Sequence, residues 1–125
     1  MKQQNYEVGR QGEKIAAEFL AKKGYKILER NFRTRFGELD LIAAKDGVLV
    51  FVEVKLKVGE DFGPSPEEMI DKGKVEQIEK TARSFLMKYP EYEERYESLR
   101  IDAVCMVLDA GGQVKRISQY ENIGF

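Results

Sequence analysis

The apolar residues Val8, Gly12, Ile15, Ala16, Phe19 and Leu20 recur at the spacing of a helix. They predict a helix over residues 5–23, with Asn5 placed to cap it and Gly24 to end it. Residues 25–33 alternate imperfectly and read as a strand. Residues 39–44 and 48–56 read as two more, joined around Asp46-Gly47, a strong hairpin signal. The turn-rich loop VGEDFGPS follows. Ser65, Pro66 and Glu68 then have the positions of a cap, a first helical residue and a capping-box acid. They predict a second long helix whose buried face is Ile70, Val75, Ile78, Ala82, Phe85 and Leu86. Gly73 weakens its early part, and Pro90 marks its end. Residues 100–109 form a nearly continuous apolar run, as expected of a strand covered on both faces. A turn at 109–112, a short strand at 113–119 and the tail ENIGF complete the chain. The order is that of an α/β layer protein with a mixed sheet. A crossover through the second helix makes the fourth strand parallel to the third.

Charge interrupts this pattern in one place. Glu38, Asp40, Glu53 and Lys55 lie inside the hairpin strands. If Asp46 and Gly47 form the turn, Lys45 faces Val48, Asp40 faces Glu53, and Glu38 faces Lys55. Directly opposed residues share a face of the sheet, so the four charges gather at the hairpin end far from the turn. Two opposed carboxylates repel unless a cation lies between them or one acid keeps its proton. The plain alternative is a ladder of charges on a wet face. Ile42, Ala44, Leu49 and Phe51 share that face, however, so it is not simply polar. Glu13 borders the apolar stripe of the first helix, where an exposed acid is the simplest reading.

The totals narrow the chemistry. The chain has 125 residues, 42% hydrophobic and 34% charged, which suits one domain over residues 1–125. No apolar run approaches the roughly 18 residues that cross a bilayer. The polar start lacks the apolar stretch of a signal peptide, so a cytoplasmic protein with no membrane partner is expected. Cys105 lies in the run AVCMVL and reads as a core residue. There is no histidine, which removes Ser-His-Asp and Cys-His catalysis and nearly every zinc site. Catalysis is left to carboxylates, lysine, arginine, tyrosine or a metal held by oxygen. The net charge of −1 does not indicate a strongly basic nucleic-acid binder. Lys22, Lys23, Lys26, Arg30, Arg33 and Arg35 nevertheless stand against Glu29 alone, which leaves room for a local basic face.

At the hairpin the sequence resembles the PD-(D/E)xK nucleases, in which an aspartate on one strand is followed by E-x-K on the next: here Asp40, then Glu53-Val54-Lys55. More narrowly, it is similar to the YraN-like family of small bacterial proteins, candidate endonucleases related to archaeal Holliday-junction resolvases. The matching stretches are GRQGEKIAAEFLAKKGYKILERNFRTRFGELDLIA, LVFVEVK, Lys74, RIDAV and ENIGF, nearly the whole chain. The extended match carries more than the bare triplet, which arises by chance. One departure is Leu56-Lys57, where the family often has threonine and arginine.

The resemblance implies a restriction-endonuclease-like three-layer α/β fold, a central mixed five-stranded sheet flanked by helices. It implies metal-dependent hydrolysis of DNA phosphodiester bonds, on branched or structured DNA. Asp40 and Glu53 would hold Mg²⁺ or Mn²⁺, completed by Glu13 from the first helix. Lys55 would position the attacking water or stabilise the developing phosphorane charge. The chemistry is self-consistent, because a divalent ion with carboxylates and lysine needs no histidine. Phosphate contacts are expected from Lys57, Lys74, Arg33 and Arg35, although solvated surface explains each equally well. Lys72 is expected beside Lys74 near the groove. Asp102 reads as structural, with no ion pair to Arg100 expected within one strand. A homodimer is expected only by analogy with resolvases of symmetric junctions. Two rival functions are a non-catalytic nucleic-acid-binding module and a protein–protein adaptor using the segment from Tyr89 to Glu97.

Overall fold

The computed structural model describes residues 2–59 and 63–125, with side chains from residue 8 onward. Helix α1 spans Lys2–Lys22, strands β1, β2 and β3 span Lys26–Thr34, Gly37–Lys45 and Val48–Val58, and helix α2 spans Lys72–Lys88. A short helix α3, Glu91–Arg95, precedes β4, Ser98–Leu108, and β5, Val114–Gly124. The strands form one sheet in the order β1-β2-β3-β4-β5. Only the β3–β4 pair is parallel, as the crossover through α2 requires; the other three pairs are antiparallel. The fold is thus α/β, a five-stranded mixed sheet between helices.

Each face of the sheet has its own core. Ala16, Ala17 and Leu20 of α1 pack on Leu41, Ala43, Val50, Val52, Val104 and Met106. Ile78, Ala82, Phe85 and Leu86 of α2 pack on Leu39, Ile42, Leu49, Phe51 and Ile101. Phe85 anchors the second core, with edge-on contacts to Phe32 at 5.0 Å and Phe51 at 5.9 Å. β4 is buried from Ile101 to Leu108, as its nearly continuous apolar run predicts, and Cys105 is one of its buried residues. Among the described residues, no helix is long and apolar enough to cross a membrane.

Several boundaries differ from the sequence reading. Asn5 lies inside α1, not at its cap, because helical backbone begins at Lys2. Residues 60–62 of the turn-rich loop lie outside the described residues. The Ser65–Glu68 capping box forms, with Ser65 N donating to Glu68 Oε2 at 2.9 Å and Glu68 N to Ser65 Oγ at 3.2 Å. It closes only a 3₁₀ turn, Glu67–Met69, and not the long helix. Ile70 then breaks away at φ −101° and ψ 75°, and Asp71 caps α2 by accepting from Lys74 N at 2.8 Å. Ile70 therefore lies before α2 and not on its buried face. The 3₁₀ turn is tied to β5, because Glu67 accepts both Arg116 guanidinium nitrogens, at 2.7 and 2.9 Å, and the Tyr120 hydroxyl at 2.8 Å. ENIGF mostly continues β5 and is not a loose tail.

The β1–β2 turn is pressed onto α2 at Gly37. Its φ is +149°, and a Cβ there would sit 2.9 Å from Gln77 Nε2 and 3.2 Å from Thr81 Oγ1. The amide of Gln77 can swing away, but the backbone angle cannot adapt as easily. Gly37→Ala is therefore expected to destabilise by about 1–3 kcal/mol, read as a lowered midpoint in urea. An unchanged midpoint would show that the turn tolerates an ordinary residue.

Candidate metal centre

The hairpin register agrees with the arithmetic, from Lys45↔Val48 to Leu41↔Val52, and then the ladder stops. Asp40 does not lie flat against Glu53. Its Oδ2 accepts the N–H of Val54 at 2.8 Å, filling a place where strand pairing would otherwise continue. The alternation of β2 slips at the same residue. Leu41 and Ala43 face α1, whereas Leu39 and Ile42 both face α2. Across from Asp40, Asn31 of β1 takes a left-handed φ of 55°, a conformation asparagine tolerates. This irregular step opens the sheet and re-aims the acids around it.

The result is a crevice of about 400 Å³ where β2 and β3 part, roofed by α1 and the start of α2. Glu13, Glu38, Asp40, Glu53, Lys55 and Lys74 line it. The four residues expected at the catalytic centre are thus brought together from three elements. Glu13, Glu38 and Asp40 each offer a carboxylate oxygen within 4.8 Å of the others. Trans ligands on a six-coordinate ion with Mg²⁺–O distances near 2.1 Å lie about 4.2 Å apart. The hard oxygen donors and their spacing therefore fit such an ion after small side-chain shifts. Glu53 stands at the edge of this trio and faces the lysines. Its Oε1 is 3.8 Å from Lys55 Nζ and 3.5 Å from Lys74 Nζ.

The acid grouping differs from the expected one in a specific way. Glu38 was expected opposite Lys55, but it joins Glu13 and Asp40 and pairs with Arg33, Nε to Oε2, at 3.6 Å. Asn31 donates a side-chain hydrogen bond to Glu13. The hairpin count gathers Glu38 with the other charges but does not assign it to a metal, and Asn31 was not expected at the site.

The phosphate-contact candidates separate. Lys74 is in the crevice, and Arg33 reaches its rim through Glu38. Lys57 donates to the carbonyl of Gly63 at 3.2 Å and does not line the crevice. Arg35 lies over Phe36 at 4.9 Å, in a different groove. Lys72 lines a third hollow with Glu67 and Tyr120.

Asp102 is also away from the crevice. Its pairing with Arg100, set aside on sequence grounds, is made: Arg100 Nε donates to Oδ1 at 2.8 Å and Nη2 to Oδ2 at 3.1 Å. Residues two apart on a strand share a face, and the long arginine stem folds back across that distance.

Crowding of acids shows in their protonation. Burial raises the Asp40 carboxyl, opposed by its bond from Val54, and Glu38 raises it further. Burial and Asp40 raise Glu13. Burial, then the Asp40 charge, lifts Glu53 from 4.5 to about 7, with Lys74 and Lys55 opposing. Between these two values the folded chain holds a proton that the unfolded chain has released. Metal-free stability should therefore fall as pH rises through that window, by about 3 kcal/mol from Glu53. Thermal melts in EDTA should show this decline from roughly pH 5 to roughly pH 8. Glu53→Gln should remove most of it, and an unaltered slope in the variant would contradict this assignment.

The description "Uncharacterised protein family UPF0102" belongs to the family model that matches residues 12–106. That span includes all six crevice residues named above. A UPF0102 protein of Syntrophomonas wolfei is 45% identical over 107 residues, covering 86% of this chain and 90% of its own length. Another, from Pelotomaculum thermopropionicum, is 37% identical over 118 residues and covers 92% of each chain. One from Clostridium botulinum is 41% identical over 105 residues, covering 84% of this chain and 83% of its own.

Proposed function

The chain belongs to the uncharacterised protein family UPF0102, and from that premise we propose that it is a metal-dependent endonuclease of the PD-(D/E)xK type, of the YraN-like kind, hydrolysing phosphodiester bonds in DNA. The convergence of Asp40, Glu53 and Lys55, with Glu13 and Glu38, at the parting of two strands is the observation that carries this reading. Mg²⁺ or Mn²⁺ bound there would neutralise phosphate charge and lower the pKa of a bound water. Glu13, Glu38 and Asp40 are the residues placed to hold it, with Glu53 joining from the lysine side. Asp40 is fixed by Val54 N–H, so one carboxylate oxygen stays directed while Oδ1 is left for a ligand. Lys55 and Lys74 supply ammonium donors beside Glu53, where a phosphate oxygen would gain charge in the transition state. Glu53 orients both lysines, with Oε1 3.8 Å from Lys55 Nζ and 3.5 Å from Lys74 Nζ.

The test is incubation of purified protein with branched and linear DNA in Mg²⁺ or Mn²⁺, beside Asp40→Asn. The expected result is metal-dependent cleavage lost in the variant. No cleavage of any substrate, or equal cleavage by the variant, would count against the reading. Salt-dependent DNA binding without cleavage would instead favour a binding module of the same fold.

A further inference from the structure

A second groove lies between the β1–β2 turn and the outer face of α2, with a volume of about 910 Å³. Arg35, Phe36, Lys80, Arg83, Met87 and Lys88 line it, and no acid among the described residues does. All six are exposed. None of its four cations makes an ion pair among the described residues. Three lie over aromatic rings instead: Arg35 over Phe36 at 4.9 Å, Arg83 over Phe125 at 5.9 Å and Lys88 over Phe32 at 5.9 Å. On a chain of net charge −1, an acid-free patch of this kind is a local concentration of positive charge.

We propose that this groove binds single-stranded DNA leading into the acidic crevice, so that the substrate is a fork or flap and not an uninterrupted duplex. The cations match a phosphate backbone. The apolar groups discriminate between strand forms, because Phe36 is 40% and Met87 84% exposed, directly among the cations. A duplex offers a groove-side protein mainly phosphates and base edges, whereas an unpaired strand offers base faces that stack on aromatic rings. The wall that carries Phe36 is fixed in advance. Gln77 Nε2 donates to the Phe36 carbonyl at 2.9 Å, and the Phe36 N–H donates to Thr34 Oγ1 at 3.0 Å.

The groove also adjoins the crevice. Glu38 follows Phe36 by two residues, about 7 Å of strand. Lys74 precedes Lys80 by six residues, about 9 Å of helix. The destination of the strand rests on the nuclease reading, but its binding does not, so binding is measured without metal.

The experiment is fluorescence anisotropy in EDTA at low salt with a labelled oligonucleotide of about 15 nucleotides and with its duplex. The single strand should bind at least about tenfold tighter than the duplex. Phe36→Ala should weaken single-strand binding about tenfold and leave duplex binding nearly unchanged. Lys80→Glu/Arg83→Glu should weaken it at least as much and flatten its salt dependence, by about 0.7 in slope for each phosphate no longer neutralised. Circular dichroism of each variant, expected to match the parent, checks that these surface variants fold. Equal affinity for strand and duplex, indifference to both variants, or binding of phosphatidylserine vesicles in place of the oligonucleotide would overturn the proposal. If the strand binds as expected but no DNA is cut in Mg²⁺, the groove stands and the nuclease reading falls.

Discussion

If the chain is the nuclease proposed above, replacing Lys55 with methionine is expected to lower DNA cleavage by about two to three orders of magnitude while the fold and the metal affinity persist. Methionine keeps the unbranched stem and removes only the ammonium, so packing beside Leu56 and Val54 is little disturbed. Lys55 Nζ has Glu53 as its ion-pair partner, at the loose distance of 3.8 Å, which leaves its donors available to a phosphate. Lys74 is nearer the same oxygen, at 3.5 Å, and also lies 3.4 Å from Gln77 Oε1. It is therefore the more committed of the two. The sign of the metal effect separates a catalytic ammonium from a structural one. Losing a cation beside four acids should leave Mn²⁺ affinity equal or tighter. Single-turnover cleavage and Mn²⁺ titration on the same sample test this. Cleavage within about threefold of the parent, or metal affinity lost together with activity, would assign Lys55 a supporting role only.

The largest effect on stability is expected at Asp102, which is fully buried. Its carboxylate accepts from Arg100, from Gln119 Nε2 at 2.9 Å and from Asn122 N at 3.0 Å. Tyr25 OH extends the network, accepting from Arg100 Nη2 at 2.7 Å and Gln119 Nε2 at 3.1 Å. The ladder between β4 and β5 shifts between Ile101 and Ala103, and Asp102 satisfies the backbone that the shift leaves unpaired. Asp102→Ala would strand an arginine, an amide and a backbone N–H together. A loss of about 3–5 kcal/mol follows from breaking one partner of a buried pair, equivalent to a drop of roughly 10–20 °C in a chain this size. Urea denaturation measures it. A loss under about 1 kcal/mol would mean that water or Glu121 replaces the carboxylate at little cost.

Asp102 and Asp40 share one device: each aspartate side chain bonds a backbone N–H where strand pairing is interrupted. The sequence does not display this. Register could be read because Asp46-Gly47 fixes the turn, with φ of 51° and 78°, and pairing counts outward from it. Counting assumes an unbroken pleat, so it sets Glu38 against Lys55 and misses that the strands part at Asp40. The same assumption of rigid side chains sets Arg100 aside as a partner of Asp102. The start of α2 is misplaced by the sequence because two capping signals lie six residues apart. The Ser65 box satisfies its own short turn, and the later Asp71 serves the helix. Burial of β4 was legible in its apolar run, interrupted only by Asp102, whereas the groove around Phe36 was not. Lys80, Arg83 and Lys88 look like ordinary solvated helix residues until the β1–β2 turn is brought against them by Gln77.

The most direct measurement is anomalous diffraction from crystals soaked in Mn²⁺. The account predicts a peak in the crevice within coordination distance of Asp40 and of at least one among Glu13, Glu38 and Glu53, absent in Asp40→Asn crystals. A crevice without a peak at saturating Mn²⁺, or a peak that touches none of these carboxylates, would contradict it.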